Sequence, residues 1–350
     1  MRVAIVALSL TLITTAPSAV ERHPATGEVD CALPAHRAVP RVAEGDPRSL
    51  AVFHNPGLVM RRNGAPLTRT TDRQGDDYLA CFDGYLSWFD RADGDVAGAG
   101  STRLAVPHSV VHFVPPRDQS AAGETQARPT RWLSLVRQPL VGPDLSPTHD
   151  SYRSTTANPT TRWERGHLAQ KALVERISPD AGRFSHSVAN AVPQVGLFNR
   201  TAWLDLECRT GAWANRFGGV WVITGPVFSA AGLPATLATG RGRGPAVAVP
   251  DHLFKLVVRQ ANHGAGWQVL AFILPQHHTS YADRSWVLEQ FRVSLNEVRW
   301  QVPATLLPTI AWNDPVASDR DSPLWEVERA EFDPACRRFA PTAPTSRRSR

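Results

Sequence analysis

The stretch that most constrains this 350-residue chain runs from Trp163 to Glu207. It opens on Trp163-Glu164-Arg165-Gly166-His167-Leu168-Ala169, passes through Asn190-Ala191-Val192-Pro193-Gln194, and closes with Asn199, Trp203 and Glu207. The residues leading to His167 read as extended. Leu197 to Arg216 instead carries Ala202, Leu206, Ala212 and Trp213 at helical spacing among polar residues. An imidazole, an arginine, two asparagines and a carboxylate therefore fall on an extended segment followed by a helix, so the fold must mix strands with helices.

The flanking sequence agrees. Leu50-Ala51-Val52-Phe53-His54, Tyr85 to Phe89 and Val110 to Val114 are short strand-like runs separated by turn residues. Trp132 to Val136, Val220 to Pro226, Phe254 to Arg259 and Val269 to Leu274 add further extended runs, and Ser285 to Val298 has a helical pattern. The pattern predicts an α+β chain with four parts: 1–19, a β-rich N-terminal region 20–125, a main domain 126–317, and a Pro/Arg-rich tail 318–350 in which order decays. Thr239 to Gly244 lacks the Lys-Ser/Thr ending of a phosphate loop and reads as a mobile basic loop.

Composition enters at three points. A hydrophobic share of 42% against 20% charged residues suits a globular protein with a sizeable core. Met1-Arg2, an apolar run from Val3 to Ile13 and small residues up to Ala19 read as a secretory signal, with an uncleaved anchor as the alternative. A secreted protein with no membrane association after signal removal is expected. The four cysteines, Cys31, Cys81, Cys208 and Cys336, lack the close spacing of a zinc site. In an oxidising compartment they allow three pairings. Chain proximity favours Cys31 with Cys81 and Cys208 with Cys336, against free buried thiols.

The sequence pI of about 9.6 does not by itself mark a nucleic-acid binder. The net charge of +6 is carried by Arg2 and by Arg337, Arg338, Arg347, Arg348 and Arg350, which leaves 3–336 neutral. A phosphate-binding surface must then be local.

The residues of the constraining stretch suit phosphodiester hydrolysis with a hard divalent cation. In-line attack needs a base for water and stabilisation of the crowded transition state and leaving oxygen. His167 titrates near neutrality and is the natural base. Asn199 offers an amide oxygen to Mg²⁺, which keeps most of its waters and needs only one or two protein ligands. Glu207, eight residues on, falls on the same face of a continuous helix and is placed to hold metal-bound waters. Arg165 shares a strand face with His167 and can grip a phosphate oxygen.

These residues resemble the DNA/RNA non-specific endonucleases. The family's Asp-Arg-Gly-His appears as Glu164 to His167, its Asn-x-x-Pro-Gln as Asn190 to Gln194, and its metal-binding Asn ahead of a Trp as Asn199 with Trp203. Leu206-Glu207, Val222 to Pro226, Pro250 to Lys255 and Phe291 to Ser294 match further, so the resemblance covers about 131–301. It implies a ββα-metal (His-Me finger) core, with His167 as general base and Asn199 as direct ligand of Mg²⁺, or of Mn²⁺ in its place. It also implies that Glu207 orients metal waters, that Arg165 contacts phosphate, and that Asn190 supports the site. An upstream arginine that contacts substrate in some members is matched to Arg153, with Arg137 as rival. Glu164 stands where the family carries Asp; the longer carboxylate keeps the charge and shifts its reach.

Plainer readings stand beside these. Asn190 can cap a turn before Pro193, Glu207 can be a helix-surface acid, and His277-His278 fit a solvated loop better than a metal pair. Trp203, Trp213 and Trp221 read as core. Asn199-Arg200-Thr201 is a glycosylation sequon, and a glycan there would block a metal at Asn199.

The expectation is a Mg²⁺-dependent endonuclease acting on DNA and RNA through the phosphate backbone, with no oligomeric state specified. A catalytically silent nucleic-acid-binding protein on the same fold is the alternative, and a toxin-like effector nuclease a third reading.

Overall fold

The computed structural model describes residues 61–62, 65–66, 77–82, 84–90, 106–107, 109–118, 147–152, 162–177, 179–228, 236–237, 247–260, 267–301 and 325–341. The segments 1–19, Leu50 to His54, Trp132 to Val136 and Thr239 to Gly244, together with Cys31, Arg137 and Arg153, lie outside the described residues.

Apolar runs with β-branched residues dominate the sheet. Its strands are β3 (Asp77–Cys81), β4 (Leu86–Asp90), β5 (Ser109–Val114), β8 (Val220–Val227), β11 (His252–Gln260), β12 (Trp267–Pro275) and β13 (Arg292–Val293). They lie in the order β13-β12-β11-β8-β5-β4-β3, and every neighbouring pair is antiparallel. Two minor ribbons join β1 (Arg61–Arg62) to β2 (Ala65–Pro66) and β9 (Thr236–Leu237) to β10 (Val247–Ala248). A separate antiparallel pair joins β6 (Trp163–His167) to β7 (Ala191–Val195).

The strands expected of an N-terminal region and those of the main domain share this sheet, because β5 pairs along its length with β8. Residue 125 therefore separates no two sheets. Strands this short bury too little surface alone, and pairing with the long central strands gives them a core.

The helices are α1 (Lys171–Val174), α2 (Pro179–Phe184), α3 (Gly196–Arg200), α4 (Ala202–Phe217), α5 (Ser280–Asp283) and α6 (Leu295–Gln301). Two helical expectations need correction. The single helix expected from Leu197 to Arg216 is two helices, broken at Thr201, whose backbone leaves the helical region at φ −120°, ψ −97°. There the Thr201 hydroxyl donates to the Leu197 carbonyl at 2.6 Å, replacing a helical partner. The helical run expected over Ser285 to Val298 is a 3₁₀ turn (Leu288–Phe291), then β13 on the sheet edge, then α6. Ser294 and Glu297 make the reciprocal hydrogen bonds of a capping box and start α6 afresh.

Helix α4 packs on one sheet face, with Trp203 and Leu206 fully buried. It ends at Gly218, which adopts a left-handed φ of 77° and lets the Gly219 N–H reach back to the Ala214 carbonyl. Across its other side runs 325–341, a stretch the sequence suggested would lose order. Cys208 and Cys336 form the favoured disulfide, the Trp213 indole donates to the Trp325 carbonyl at 2.8 Å, and Asn215 Nδ2 donates to the Glu331 carbonyl. Phe332 and Trp325 are buried here, and these apolar anchors offset the Pro and Arg content around them.

Candidate active site

Strand β6 carries three of the predicted residues. Its register sets Glu164 opposite Gln194, Gly166 opposite Val192 and His167 opposite Ala191. The Gln194 side chain lies across Gly166, and a Cβ there would overlap it, so the chain needs glycine between Arg165 and His167. Beyond β6 the backbone is pinned: Leu168 N–H donates to the Asn190 carbonyl at 3.0 Å.

The Asn190 side chain completes that clamp. Its Oδ1 accepts from Ala169 N–H at 2.7 Å, and its Nδ2 donates to the carbonyls of Ala169 and Ser185 at 2.8 and 3.0 Å. The residue is fully buried. Its amide thus fixes the turn behind His167 and does not reach solvent, so it is not placed to touch a bound substrate.

His167 is half-buried at the strand end, and the edge-on ring of His186 lies 4.9 Å away between centroids. His186 was not singled out by sequence reasoning, since an isolated histidine four residues before Asn190 gives no spacing signal. Arg165 alternates onto the same strand face as His167, and its guanidinium donates to the His149 carbonyl at 3.4 Å, toward the 3₁₀ turn His149–Tyr152. The turn is anchored by Tyr152, whose hydroxyl donates to the Ala191 carbonyl at 2.9 Å. The predicted Arg153 follows this turn and lies outside the described residues.

Helix α3 leaves β7 directly and brings Asn199 back to β6. Asn199 Nδ2 donates to Glu164 Oε2 at 3.0 Å. Arg200 Nε reaches the same oxygen at 3.3 Å, and its Nη2 pairs with Glu164 Oε1. A carboxylate only accepts, so the amide nitrogen of Asn199 faces Glu164 and its oxygen points elsewhere. An amide oxygen held in this way suits a hard cation. The same bonds occupy the sequon, since the Thr201 hydroxyl is also engaged.

Glu207 does not lie on one continuous helix with Asn199, because the break at Thr201 puts it on α4. Its carboxyl is buried against the sheet. Burial raises its pKa, while the Lys255 charge and the Trp203 indole pull the other way. Lys255 is itself fully buried, 4.4 Å from the Trp203 ring centroid, and burial lowers its pKa against the opposing pull of Glu207. Register places Thr224 directly beside Lys255 on the same sheet face, with His112 one step along. Burial, then the Lys255 charge, hold His112 well below its ordinary pKa. A lysine amid Leu253, Phe254, Leu256 and Val257 was the legible sign of this polar row, because lysine is rarely fully buried.

Comparison with known proteins gives three kinds of match. The family model described as DNA/RNA non-specific endonuclease matches residues 101–303, more than half the chain. Human mitochondrial endonuclease G is 30% identical over 171 residues, 46% of this chain and 54% of that one. Nuclease C1 of Cunninghamella echinulata var. echinulata is 32% identical over 159 residues, 42% of this chain and 58% of that one. A nuclease of Syncephalastrum racemosum is 31% identical over 150 residues, 39% of this chain and 44% of that one. The chain spans about half the length of the curated relatives it matches. Among solved structures, a chain of the EndoG/EndoGI complex aligns with a TM-score of 0.47 and 22% identity, covering 62% of this chain and 80% of that one.

Proposed function

Because the chain belongs to the DNA/RNA non-specific endonuclease family, we propose that it is a secreted, metal-dependent endonuclease hydrolysing DNA and RNA with little base preference. One observation carries the reading beyond the family. The antiparallel pair β6/β7 runs straight into α3, and Glu164 tethers Asn199 of that helix to the strand that ends in His167. This strand-strand-helix order supports a ββα-metal site.

In this reading His167 takes a proton from water, and the resulting hydroxide oxygen attacks phosphorus in line. The bond to the 3′ oxygen breaks, and that oxygen takes a proton from solvent water, leaving a 5′-phosphate and a 3′-hydroxyl. Asn199 Oδ1 would hold Mg²⁺, or Mn²⁺ in its place. The bound cation supplies positive charge to the phosphate oxygens. Glu207 would orient waters on that ion, and Arg165 neutralises phosphate, with Arg153 as an upstream helper. Asn190 keeps His167 in place. Binding rests on phosphate contacts and weakens steeply with salt. The Cys208–Cys336 disulfide supports an oxidising compartment and hence secretion.

The test is cleavage of plasmid DNA and of RNA by protein lacking residues 1–19, with Mg²⁺, with EDTA, and as His167→Ala. Metal-dependent nicking that falls about 10²- to 10⁴-fold in the variant, with nucleic-acid binding retained, supports the enzyme. Binding without cleavage by the unaltered protein under Mg²⁺ and Mn²⁺ alike would instead favour a silent binding protein.

A further inference from the structure

The site described so far grips phosphate and metal but offers nothing to a base. Beside it, at the other end of β6, lies an open hollow of about 310 Å³, lined by Val195, Leu197, His277, His278 and Tyr281 among others. Its walls come from the elements that build the candidate active site. Val195 ends β7 and Leu197 lies two residues before Asn199 on α3, while Trp163, which begins β6, adjoins the hollow with its ring edge-on to the lining residue His277 at 5.9 Å.

Hydrogen bonds hold the hollow in shape. Gln276 Oε1 accepts from Val195 N–H at 2.9 Å, while its Nε2 donates to the carbonyls of Pro193 and Pro250 at 2.9 and 2.8 Å. His278 Nδ1 and the Ser280 hydroxyl share a 2.6 Å hydrogen bond, and the His278 ring stands 5.5 Å from Tyr281 and 5.3 Å from Phe291. The Tyr281 hydroxyl donates to the Pro275 carbonyl at 2.8 Å, leaving its ring as wall. His277 is exposed at the rim and Trp163 half-exposed. None of the lining residues carries a carboxylate, so a polyanion meets no like charge in the hollow.

We propose that this hollow is a nucleobase subsite, in which a base a few nucleotides from the cleaved phosphate packs against His277 and the adjoining Trp163 ring; this rests on the nuclease reading above. Distance fits. Trp163 and His167 are four residues apart on one strand, about 13 Å at strand rise. That is about four stacked nucleotides, and fewer where the nucleic-acid strand is extended. Chemistry fits as well. Every base has a π-face, so ring packing adds affinity without imposing a sequence, as a nuclease of little base preference requires. The rings also explain why histidines with no visible role in phosphate chemistry sit next to Val195 and Leu197.

The experiment uses an oligonucleotide with one ordinary phosphodiester, all other linkages being phosphorothioate, in a series that moves a single abasic site through each nearby position. For the unaltered protein one abasic position raises KM by about fivefold or more, as loss of a stacked base predicts, and the others change it little. His277→Ala, at an exposed position, and Trp163→Leu each remove that penalty, so intact and abasic oligonucleotides become equivalent. Cleavage with the same KM at every abasic position would overturn the subsite while leaving the nuclease reading intact. An abasic penalty that persists unchanged in both variants would place the base elsewhere and overturn it equally. Failure to cleave even the intact oligonucleotide would sink the nuclease reading, and the subsite with it.

Discussion

Asn199 and Glu164 face each other across α3 and β6 at 3.0 Å, with the amide as donor and the carboxylate as acceptor. That direction leaves the Asn199 oxygen as the atom that would meet the cation in the proposed metal site. Glu164 stands where the resemblance places an Asp, and its carboxylate reaches across to α3. Glu164→Ala leaves the amide free to turn and should raise the Mg²⁺ concentration for half-maximal activity about 10- to 100-fold. Glu164→Asp should fall between, and Glu164→Gln, which keeps an accepting oxygen, should stay closest to the unaltered protein. Titrating Mg²⁺ against cleavage rate orders the three; an Ala variant with unchanged metal dependence would remove Glu164 from the site.

Lys255 and Glu207 oppose each other beneath α4, both buried. Removing the lysine alone strands a carboxyl in the core, so Lys255→Met should cost about 3–5 kcal/mol in urea unfolding at neutral pH. Burial already raises the Glu207 pKa and Lys255 holds it down. A carboxyl whose folded value is raised stabilises at low pH and loses that contribution as pH rises from its unfolded value through its folded one. Lys255→Met raises the folded value further, so its stability should go on declining above about pH 7, where the Glu207 contribution in the parent levels off. Adding Glu207→Gln should restore much of the stability without restoring cleavage. A double variant no more stable than the single would show that the two groups do not interact.

The strands were the legible part of this chain and the helix boundaries were not. Val220 to Ile223 and Val269 to Leu274 are unbroken apolar runs, as expected of strands buried between neighbours. Thr201 gave no warning, because apolar residues keep helical phase across it and the break comes from a hydroxyl choosing the Leu197 carbonyl. Ser294-Leu295-Asn296-Glu297 did advertise a helix start in the middle of a supposed helix. In the candidate site, His167, Asn199 and Glu207 could be picked from residue type and order. The Asn199–Glu164 contact could not, since it depends on where α3 turns, and of the polar row only Lys255 stood out, its neighbours Thr224 and His112 being set by which strands pair.

His112 gives that row a pH signature. Burial keeps it neutral in the fold, whereas in the unfolded chain it takes up a proton near pH 6.5. The stability this contributes is fully present above 6.5 and is lost as pH falls below it, by up to about 1.4 kcal/mol per pH unit. Urea unfolding between pH 5 and 7.5 should show that slope, and His112→Leu should flatten it whatever its effect on absolute stability. An identical slope in the variant would mean that other groups cause the acid loss.

The segment 325–341 acts as a strap on the helix that carries Glu207. Cys208 is the next residue along α4 and is bonded to Cys336 across a sequence separation of 128. Arg176 and Arg117 both pair with Asp333, at 2.6 and 3.2 Å, so the strap is tied to α1's end and to the chain after β5 as well. Cross-linking a loop of this length restricts the unfolded chain strongly, and Cys336→Ser should lower unfolding free energy by about 2–5 kcal/mol. The remaining ion pairs and the buried Trp325 and Phe332 should keep the strap docked in most molecules. Cleavage by trypsin after Arg337 and Arg338 should nonetheless become faster in the variant, because local opening no longer has to work against a covalent bond. A Cys336→Ser protein with parental stability and parental trypsin resistance would show that the apolar anchors alone hold the strap against α4.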